Sequence, residues 1–404
     1  MSLATAIEHP GAQDAAVTDL SVVYYAVSPK TSWVFLRLTL SNGVEGFGEA
    51  TFFGMEQGIA AKVEGYAGSL RGLSIREGMR WLEDRLFRDF DELPRVALCG
   101  IGQALLDAQA RHLGVCATDI IGGPRRDGVP VYANINRGTK DRTPEGWAAR
   151  ARLAVGHGHR ALKLAPFDGV RSSDMDAPET RRNLRAGIDA VLAVRDAVGP
   201  DIRINVDFHG RFTASGAFET LRQIAPAAPY WIEMPVPEGS GYLDEARRLR
   251  LRAGDMGIRL AGAELIFGLG TVRTMIEAGA YDVYMPDLRF CGGIFEATRM
   301  SALVARAGLE FSLHNPAGPL LDLVSLQVAR ACPSITMIEH QFQEDPKAAQ
   351  LLDPALPAPA EGLVHAPDGP GWGAVLRIDR IDEADRRLPP PVDNLGLPGA
   401  GNMS

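Results

Sequence analysis

Hydrophobic positions alternate early in the chain. In Trp33-Val34-Phe35-Leu36-Arg37-Leu38-Thr39-Leu40, Val34, Leu36, Leu38 and Leu40 share one face while Arg37 and Thr39 take the other. That period of two predicts a half-buried strand. Ser41-Asn42-Gly43 supplies a turn, and Val44-Glu45-Gly46-Phe47-Gly48-Glu49 returns as the partner strand. Helical periodicity follows at residues 75–87 and 96–113. The second stretch is dense in small residues (Gly100, Gly102, Ala104, Ala108), as a buried helix would be, and stops at Gly114. Sheet followed by helices predicts an α+β domain, closing where GGPRRDG at 122–128 breaks the pattern.

Beyond that point the element types alternate strictly. Short apolar β-type runs fall at 129–135, 160–165, 202–208, 229–234, 258–263, 281–286, 309–314 and 335–338, with helical periodicity between them, as at 179–198 and 294–307. Eight strands alternating with helices predict parallel β/α units and a (β/α)8 barrel. A doubly wound open sheet is the rival, but no GxGxxG opens a helix after a strand. After Glu339 the chain turns Pro-rich (LDPALPAPAEG), which reads as a strap. Gly371-Trp372-Gly373-Ala374-Val375-Leu376 reads as one more strand, returning to the N-terminal domain, and the residues from Pro389 read as weakly ordered. The expected fold is α/β: a modified (β/α)8 TIM-type barrel at 126–340, an N-terminal α+β domain at 1–125, and a C-terminal strap at 341–404 that completes the latter.

Composition narrows the function. The chain has 404 residues, 46% apolar, with 50 Asp and Glu against 42 Lys and Arg and a net charge of −8. That balance leaves no electrostatic footprint for nucleic acid and no polybasic patch for an anionic membrane. No apolar run reaches the roughly 18 residues a membrane span needs, and MSLATAIEHPGAQDAAV lacks the pattern of a signal peptide. Cys99, Cys116, Cys291 and Cys332 lie far apart without paired zinc spacing, so no disulfide framework is expected and a reducing cytoplasm is.

In such barrels catalytic groups sit at the C-terminal ends of the strands. Here the strand ends carry, in order, Lys163, Asp207, Glu233, Glu264, Asp287, His314 and Glu339. One acid after an apolar strand is ordinarily a helix cap, but Glu is a poor N-cap, and seven successive rim positions of this kind exceed what capping explains. Asp207, Glu233 and Glu264 come from consecutive strands, about 4.8 Å apart. Three anions so close repel unless a cation joins them, and all-oxygen ligation points to Mg²⁺ before Mn²⁺ or Ca²⁺. The alternative is pairing with Arg211 and Arg259. Asp287 and His314 end adjacent strands, where a carboxylate orients an imidazole for general-base work. His209, two residues after Asp207, falls on the same inward face by strand alternation and is a second acid or base. His9, His112, His157, His159 and His365 lie away from the rim and read as structural.

These residues carry a resemblance. VEGFGEA, the GIGQALLDAQARHLGVCATDIIGG segment and the ordered barrel acids resemble the enolase superfamily in its mandelate-racemase-like branch, over nearly the whole chain. The metal acids are spaced 26 and 31 residues apart; the longer reach is assigned to 239–257. Asp207-Phe208-His209-Gly210-Arg211 with His314-Asn315-Pro316-Ala317-Gly318-Pro319 is similar to the acid-sugar dehydratases of galactonate and mannonate type. The family's Lys-x-Lys on the second barrel strand is here Lys163-Leu164-Ala165, and Met234 replaces the second acid of Glu-Glu-Pro. On the eighth strand, Glu339 rather than His340 is expected to face the site.

The resemblance implies Mg²⁺ held by Asp207, Glu233 and Glu264, with Lys163 adding positive charge at a substrate carboxylate. His314, oriented by Asp287, would abstract the α-proton to form an enediolate, the arrangement described for enolase-type sites. Racemisation needs acid–base groups on both faces, and Ala165 stands where the second lysine would be. Elimination needs one base and one proton donor, which His314 and His209 supply. The expected function is therefore dehydration of a sugar acid to a 2-keto-3-deoxy acid by a homo-oligomeric enzyme. An epimerase or cycloisomerase, or a metal-retaining barrel without turnover, are the alternatives. Loops at 24–30 and 50–57 of the capping domain are expected to reach the site, and the loop at 166–178 after the second barrel strand either to reach it or to serve an oligomer contact. Phe52 and Phe53 imply a partly apolar wall, which keeps smaller hydroxy acids in view.

Overall fold

A computed structural model describes residues 15–28, 31–88, 91–345 and 347–388; His9 and the segment from Pro389 lie outside them. The N-terminal domain opens with an antiparallel sheet of β1 (Val17–Ser28), β2 (Thr31–Leu40) and β3 (Glu45–Glu49), in that spatial order. Helices α1 (Glu56–Leu70), α2 (Ile75–Leu86), α3 (Glu92–Leu113) and the short α4 (Ala117–Ile121) pack behind it. Three of these elements, β1, α1 and the short α4, have no counterpart in the sequence expectations. Residues 24–28, expected as a loop, belong to β1, and Pro29 and Lys30 lie outside the described residues. Most β1 side chains are only half-buried, which blurs the alternation that would announce the strand.

Local chemistry sets the helix ends. Ser74 and Glu77 form a reciprocal capping box at the start of α2. Gly114 takes the left-handed conformation (φ 69°) that ends α3, and its amide bonds back to the Ala110 and Arg111 carbonyls. The small residues of α3 let it approach β3 backbone to backbone. A Cβ on Gly48 would collide with the Gly100 carbonyl oxygen, and one on Gly46 with the Ala104 carbonyl oxygen. Gly48→Ala is expected to destabilise the protein by about 1–3 kcal/mol through overpacking. Chemical denaturation reads this directly, and an unchanged midpoint would contradict the close approach.

The barrel follows as β4 (Gly128–Asn134), α5 (Pro144–Gly156), β5 (Ala161–Leu164), α6 (Pro178–Val198), β6 (Arg203–Asp207), α7 (Ala214–Ile224), β7 (Trp231–Glu233), α8 (Leu243–Gly254), β8 (Arg259–Gly262), α9 (Gly268–Ala278), β9 (Val283–Tyr284), α10 (Ile294–Arg306), β10 (Glu310–Leu313), α11 (Pro319–Ala331) and β11 (Met337–Gln341). Each strand pairs parallel with the next, and β11 pairs with β4 to close the cylinder. All eight barrel strands thus appear where the apolar runs fall. The eighth is followed, among the described residues, by the Pro-rich strap and no α-helix.

The strap serves both domains. Its β12 (Leu352–Asp353) pairs with β14 (Val375–Leu376), while β13 (Leu363–His365) adds antiparallel to the start of β4. The strand expected at 371–376 is therefore shorter and pairs within the strap. Its contact with the N-terminal domain runs through Trp372, whose amide donates to Asp107 (2.8 Å) and whose indole donates to the Phe47 carbonyl (3.1 Å). All four cysteines are free, and no helix among the described residues is long and apolar enough to cross a membrane.

Alternation along the barrel strands stacks two interior layers. Tyr132, Ala161, Trp231, Ala261, Val283, Met285 and Met337 form an apolar cluster of their own, separate from the larger core around it. Tyr132 and Trp231 meet edge to face there, with centroids 5.4 Å apart. One inward step further along the same strands come Asn134, Lys163, Glu233 and Glu339, all buried. An apolar floor thus underlies a charged layer at the C-terminal rim.

Candidate active site

Lys163 stands at the centre of the charged layer. Its ammonium lies 2.7 Å from Glu233, 2.8 Å from Glu339 and 3.7 Å from Asp207. Burial works against its charge, but Glu233 and Glu339 outweigh that and hold its pKa well above the usual lysine value. Glu233 also accepts from the Trp231 indole (3.1 Å), and Glu339 from the Asn134 amide (2.6 Å) and the Asn315 backbone (2.9 Å). Burial opposes ionisation of Glu339, yet Lys163 and His314 pull its pKa below the ordinary range. His340, the next residue, points to the outer face of the barrel and pairs with Asp322 at 2.7 Å. There it lines a cavity of about 690 Å³ beneath the strap, together with His157 and His159.

Asp207, Glu233 and Glu264 end three consecutive strands, but not in equivalent ways. Asp207 and Glu233 are the last strand residues and sit directly opposite one another in the ladder. Glu264 lies two residues beyond β8, which absorbs part of the longer 31-residue spacing assigned to 239–257. Burial and the neighbouring Glu233 and Asp207 charges raise its pKa well above normal, and its Oε1 is buried without a partner. Burial likewise raises Glu233. Ligand atoms of Glu233, Glu264 and His314 lie within 4.8 Å of one another. Asp207 turns instead to His209, 2.9 Å from Nε2. Burial opposes its ionisation, but His209 and Lys163 outweigh it and push the pKa far down. The arginines offered as the alternative go elsewhere: Arg211 pairs with Asp168 (3.5 Å) and Arg259 with Glu310 (2.8 Å).

His209 reaches Asp207 by a turn rather than by strand alternation. The strand ends at Asp207, and His209 adopts φ 50° with its amide donating to Asp207 Oδ1 (2.8 Å). Met234 (φ 40°) and Ala263 (φ 77°) take the same left-handed conformation just after the next two strands. Such residues concentrate where surrounding structure over-determines the backbone.

His314 and Asp287 meet across β10 and β9. Nδ1 lies 3.0 Å from Asp287 Oδ2, so that nitrogen carries the proton and Nε2 is left facing Glu264 (3.5 Å) and Glu339 (3.8 Å). Burial would raise Asp287, but Arg289 and His314 more than reverse it.

Three residues here carry no functional reading in the sequence. Arg289 is 2% exposed and grips Asp287 through Nε (2.9 Å) and a second nitrogen (2.5 Å). Glu238 accepts from the Ala263 and Glu264 amides (the latter 3.1 Å), and burial raises its pKa to about 7. It fits because Gly262 has no Cβ; one would lie 2.5 Å from Glu238 Oε1. Glu49, fully buried at the end of β3, accepts from Thr51 (2.7 Å), Gly318 (2.6 Å) and Leu321 (2.9 Å). Glu49 and Glu238 act on backbone amides distant in the chain, where sequence spacing has no signal; Arg289 lies two residues from Asp287, and that spacing is the one available signal.

Burial, opposed by those hydrogen bonds, raises Glu49 from 4.5 to about 6. A raised carboxylate favours the folded state below its unfolded value and loses that advantage as pH rises through the folded one. Wild type should lose about 2 kcal/mol relative to Glu49→Gln between pH 4.5 and 7.5. Urea unfolding of both proteins at the two pH values checks this; parallel pH profiles would refute it.

The outer rim is more polar than the Phe pair suggests. Phe52 packs edge-on to Phe290 (5.1 Å), but Phe53 lies beneath the Arg137 guanidinium (4.1 Å), itself 3.0 Å from Glu344. In the loop after β5, Phe167 packs on Phe208 and Phe212, and Asp168 bonds Arg142.

A closed eight-stranded parallel barrel with this rim and this antiparallel cap defines a class. The mandelate racemase/muconate lactonizing enzyme N-terminal domain matches residues 20–122, and the enolase C-terminal domain-like family matches 146–380. The chain belongs to the enolase superfamily, in its mandelate racemase/muconate lactonizing enzyme branch, and is an enzyme. It is 29% identical over 382 residues to a D-gluconate dehydratase of Thermoproteus tenax, covering 92% of this chain and 74% of that one. It is 28% identical to a D-galactonate dehydratase of Variovorax paradoxus strain S110, covering 90% and 94%. Among solved structures, a mandelate racemase/muconate lactonizing enzyme from Jannaschia sp. CCS1 superposes with a TM-score of 0.80 at 24% identity, covering 92% and 98%. Members of the superfamily use a divalent metal ion.

Proposed function

We propose that this enzyme is a Mg²⁺-dependent hydro-lyase of a sugar acid. The observation that carries the reading is the His314–Asp287 pair, whose Nε2 faces the acid cluster, with His209 held by Asp207 at the same rim. The likeness to D-gluconate and D-galactonate dehydratases supports the substrate class. The buried, unpartnered Glu264 Oε1 and the raised Glu233 and Glu264 pKa values fit a cation among oxygen donors. Asp207, Glu233 and Glu264 would hold it. When bound, it supplies positive charge against the charge that develops on the substrate carboxylate.

The chain's own groups then have defined tasks. His314 Nε2 takes the C2 proton, with Asp287 holding the ring in the required tautomer. The C2–H electron pair first moves onto the substrate carboxylate as an enediolate, then forms the C2=C3 bond as the C3–O bond breaks. His209, bonded to Asp207 through Nε2, delivers the Nδ1 proton to the departing hydroxyl, which leaves as water. The enol tautomerises to a 2-keto-3-deoxy acid. Lys163 keeps Glu233, Glu339 and Asp207 in place and adds positive charge beneath the substrate carboxylate. The four free cysteines support a reducing compartment.

Screening a library of acid sugars that includes D-gluconate and D-galactonate, with Mg²⁺, for 2-keto acid formation tests the proposal. Deuterium uptake at C2 without any keto acid would favour an epimerase instead, and no uptake from any acid would remove turnover altogether. His209→Asn should slow elimination by about 100-fold while leaving deuterium exchange at C2 measurable. Equal loss of both would take the proton-donor role from His209.

A further inference from the structure

The loop that carries His314 is fastened to the N-terminal domain by a single carboxylate. Helix α11 is capped by Gly318, four residues after His314, and this glycine has no side chain to offer the third helical amide. Glu49 does so instead, from 269 residues away in sequence: Oε1 accepts from the Gly318 amide (2.6 Å) and Oε2 from the Leu321 amide (2.9 Å). A carboxylate at a helix N-terminus meets both unsatisfied donors and the positive end of the helix dipole. The fit is mutual, since a Cβ on Gly318 would lie 2.8 Å from Glu49 Oε1 and 2.8 Å from the Trp33 ring.

The same carboxylate reaches the other half of the pair. Thr51 Oγ1 donates to Glu49 Oε1 (2.7 Å), and the Thr51 carbonyl accepts from the Arg289 guanidinium. Arg289 in turn holds Asp287. Glu49, Thr51, Arg289 and Asp287 are each at most 2% exposed. The hydrogen bonds close a ring from His314 through Asp287, Arg289, Thr51 and Glu49 to the start of α11, and back along the loop to His314.

We propose that Glu49 is a positioning residue for the His314–Asp287 pair, so that docking of the N-terminal domain sets the geometry of proton abstraction. The inference rests on the reading of His314 as the base. Glu49 touches no reacting atom; it holds the loop and the orienting carboxylate. Displacement of a reacting group by about 1 Å costs about 100-fold in rate, and a ring of this kind is what prevents it.

The test uses the full chain with Mg²⁺ at pH 8, with D-gluconate and D-galactonate as probes. Glu49→Gln is expected to lower kcat by about 100-fold while KM stays within about threefold. Amide exchange, read by mass spectrometry, should rise in the peptide spanning 314–321. Glu49→Asp keeps the charge with a shorter reach, should recover part of kcat, and replaces Glu49→Gln if that variant does not fold. Asp107→Asn is the control: Asp107 is an equally buried carboxylate of the same domain, bonded to Phe47, Arg111 and Trp372 and remote from His314. It should lower the melting temperature but leave kcat unchanged. Wild-type kcat in Glu49→Gln, a kcat loss in Asp107→Asn matching that in Glu49→Gln, or unaltered exchange at 314–321 would each overturn the proposal. If His314→Asn retains proton exchange, or no acid of the library exchanges, the base reading fails instead. The amide-exchange comparison then still decides whether Glu49 holds the loop.

Discussion

Replacing His314 with asparagine is expected to slow deuterium exchange at C2 by about a thousandfold, with the fold intact. Asparagine can still donate to Asp287 but has no lone pair of useful basicity at any pH. The expectation is specific because Nδ1 is committed to Asp287 at 3.0 Å, which leaves Nε2 as the ring nitrogen that faces the site. Exchange followed by NMR in D₂O isolates proton abstraction from the later loss of hydroxide. Exchange within tenfold of wild type would remove His314 from the role, whatever happened to keto acid formation.

Lys163→Met should have the largest effect on stability. The ammonium lies 2.7–2.8 Å from two buried carboxylates and 3.7 Å from a third. A methionine of similar shape leaves three anions facing one another over an apolar floor. Removing one partner of a buried ion pair costs about 3–5 kcal/mol, and here one cation serves three acids. The sign with pH follows from the carboxylates. Burial and mutual repulsion already raise Glu233 and Glu264, and without Lys163 they would rise further. The folded variant would then bind more protons than its unfolded chain, so its deficit should shrink as pH falls towards 5. Added Mg²⁺ should recover part of the loss and a chelator should deepen it. A variant within 1 kcal/mol of wild type in urea would show that Lys163 does not organise the acids.

How far the sequence carries depends on where the information resides. The barrel strands are short, buried on both faces and separated by helices, so their apolar runs stand out, and the polar residue ending each run stands out with them. Lys163, Asp207, Glu233, Asp287, His314 and Glu339 are legible for that reason. Strand β1 is not, because its side chains are mostly half-buried and mix polar with apolar. Strand alternation places His209 beside Asp207 by the wrong geometry: a left-handed turn, not a continued strand, brings it there. Glu49 and Glu238 are invisible because each works on backbone amides brought near only by the closed fold, whereas Arg289 is a neighbour of Asp287 whose reach to the Thr51 carbonyl no spacing announces. No spacing rule relates Glu49 to Gly318.

The floor of Tyr132, Trp231 and their neighbours has a consequence for traffic through the molecule. A barrel stoppered from below is a vessel with one mouth. Under the proposed reaction, the substrate's proton, the expelled water and the keto acid would all leave by the opening through which the substrate arrived. That one opening would meter solvent isotope, reactant and product alike.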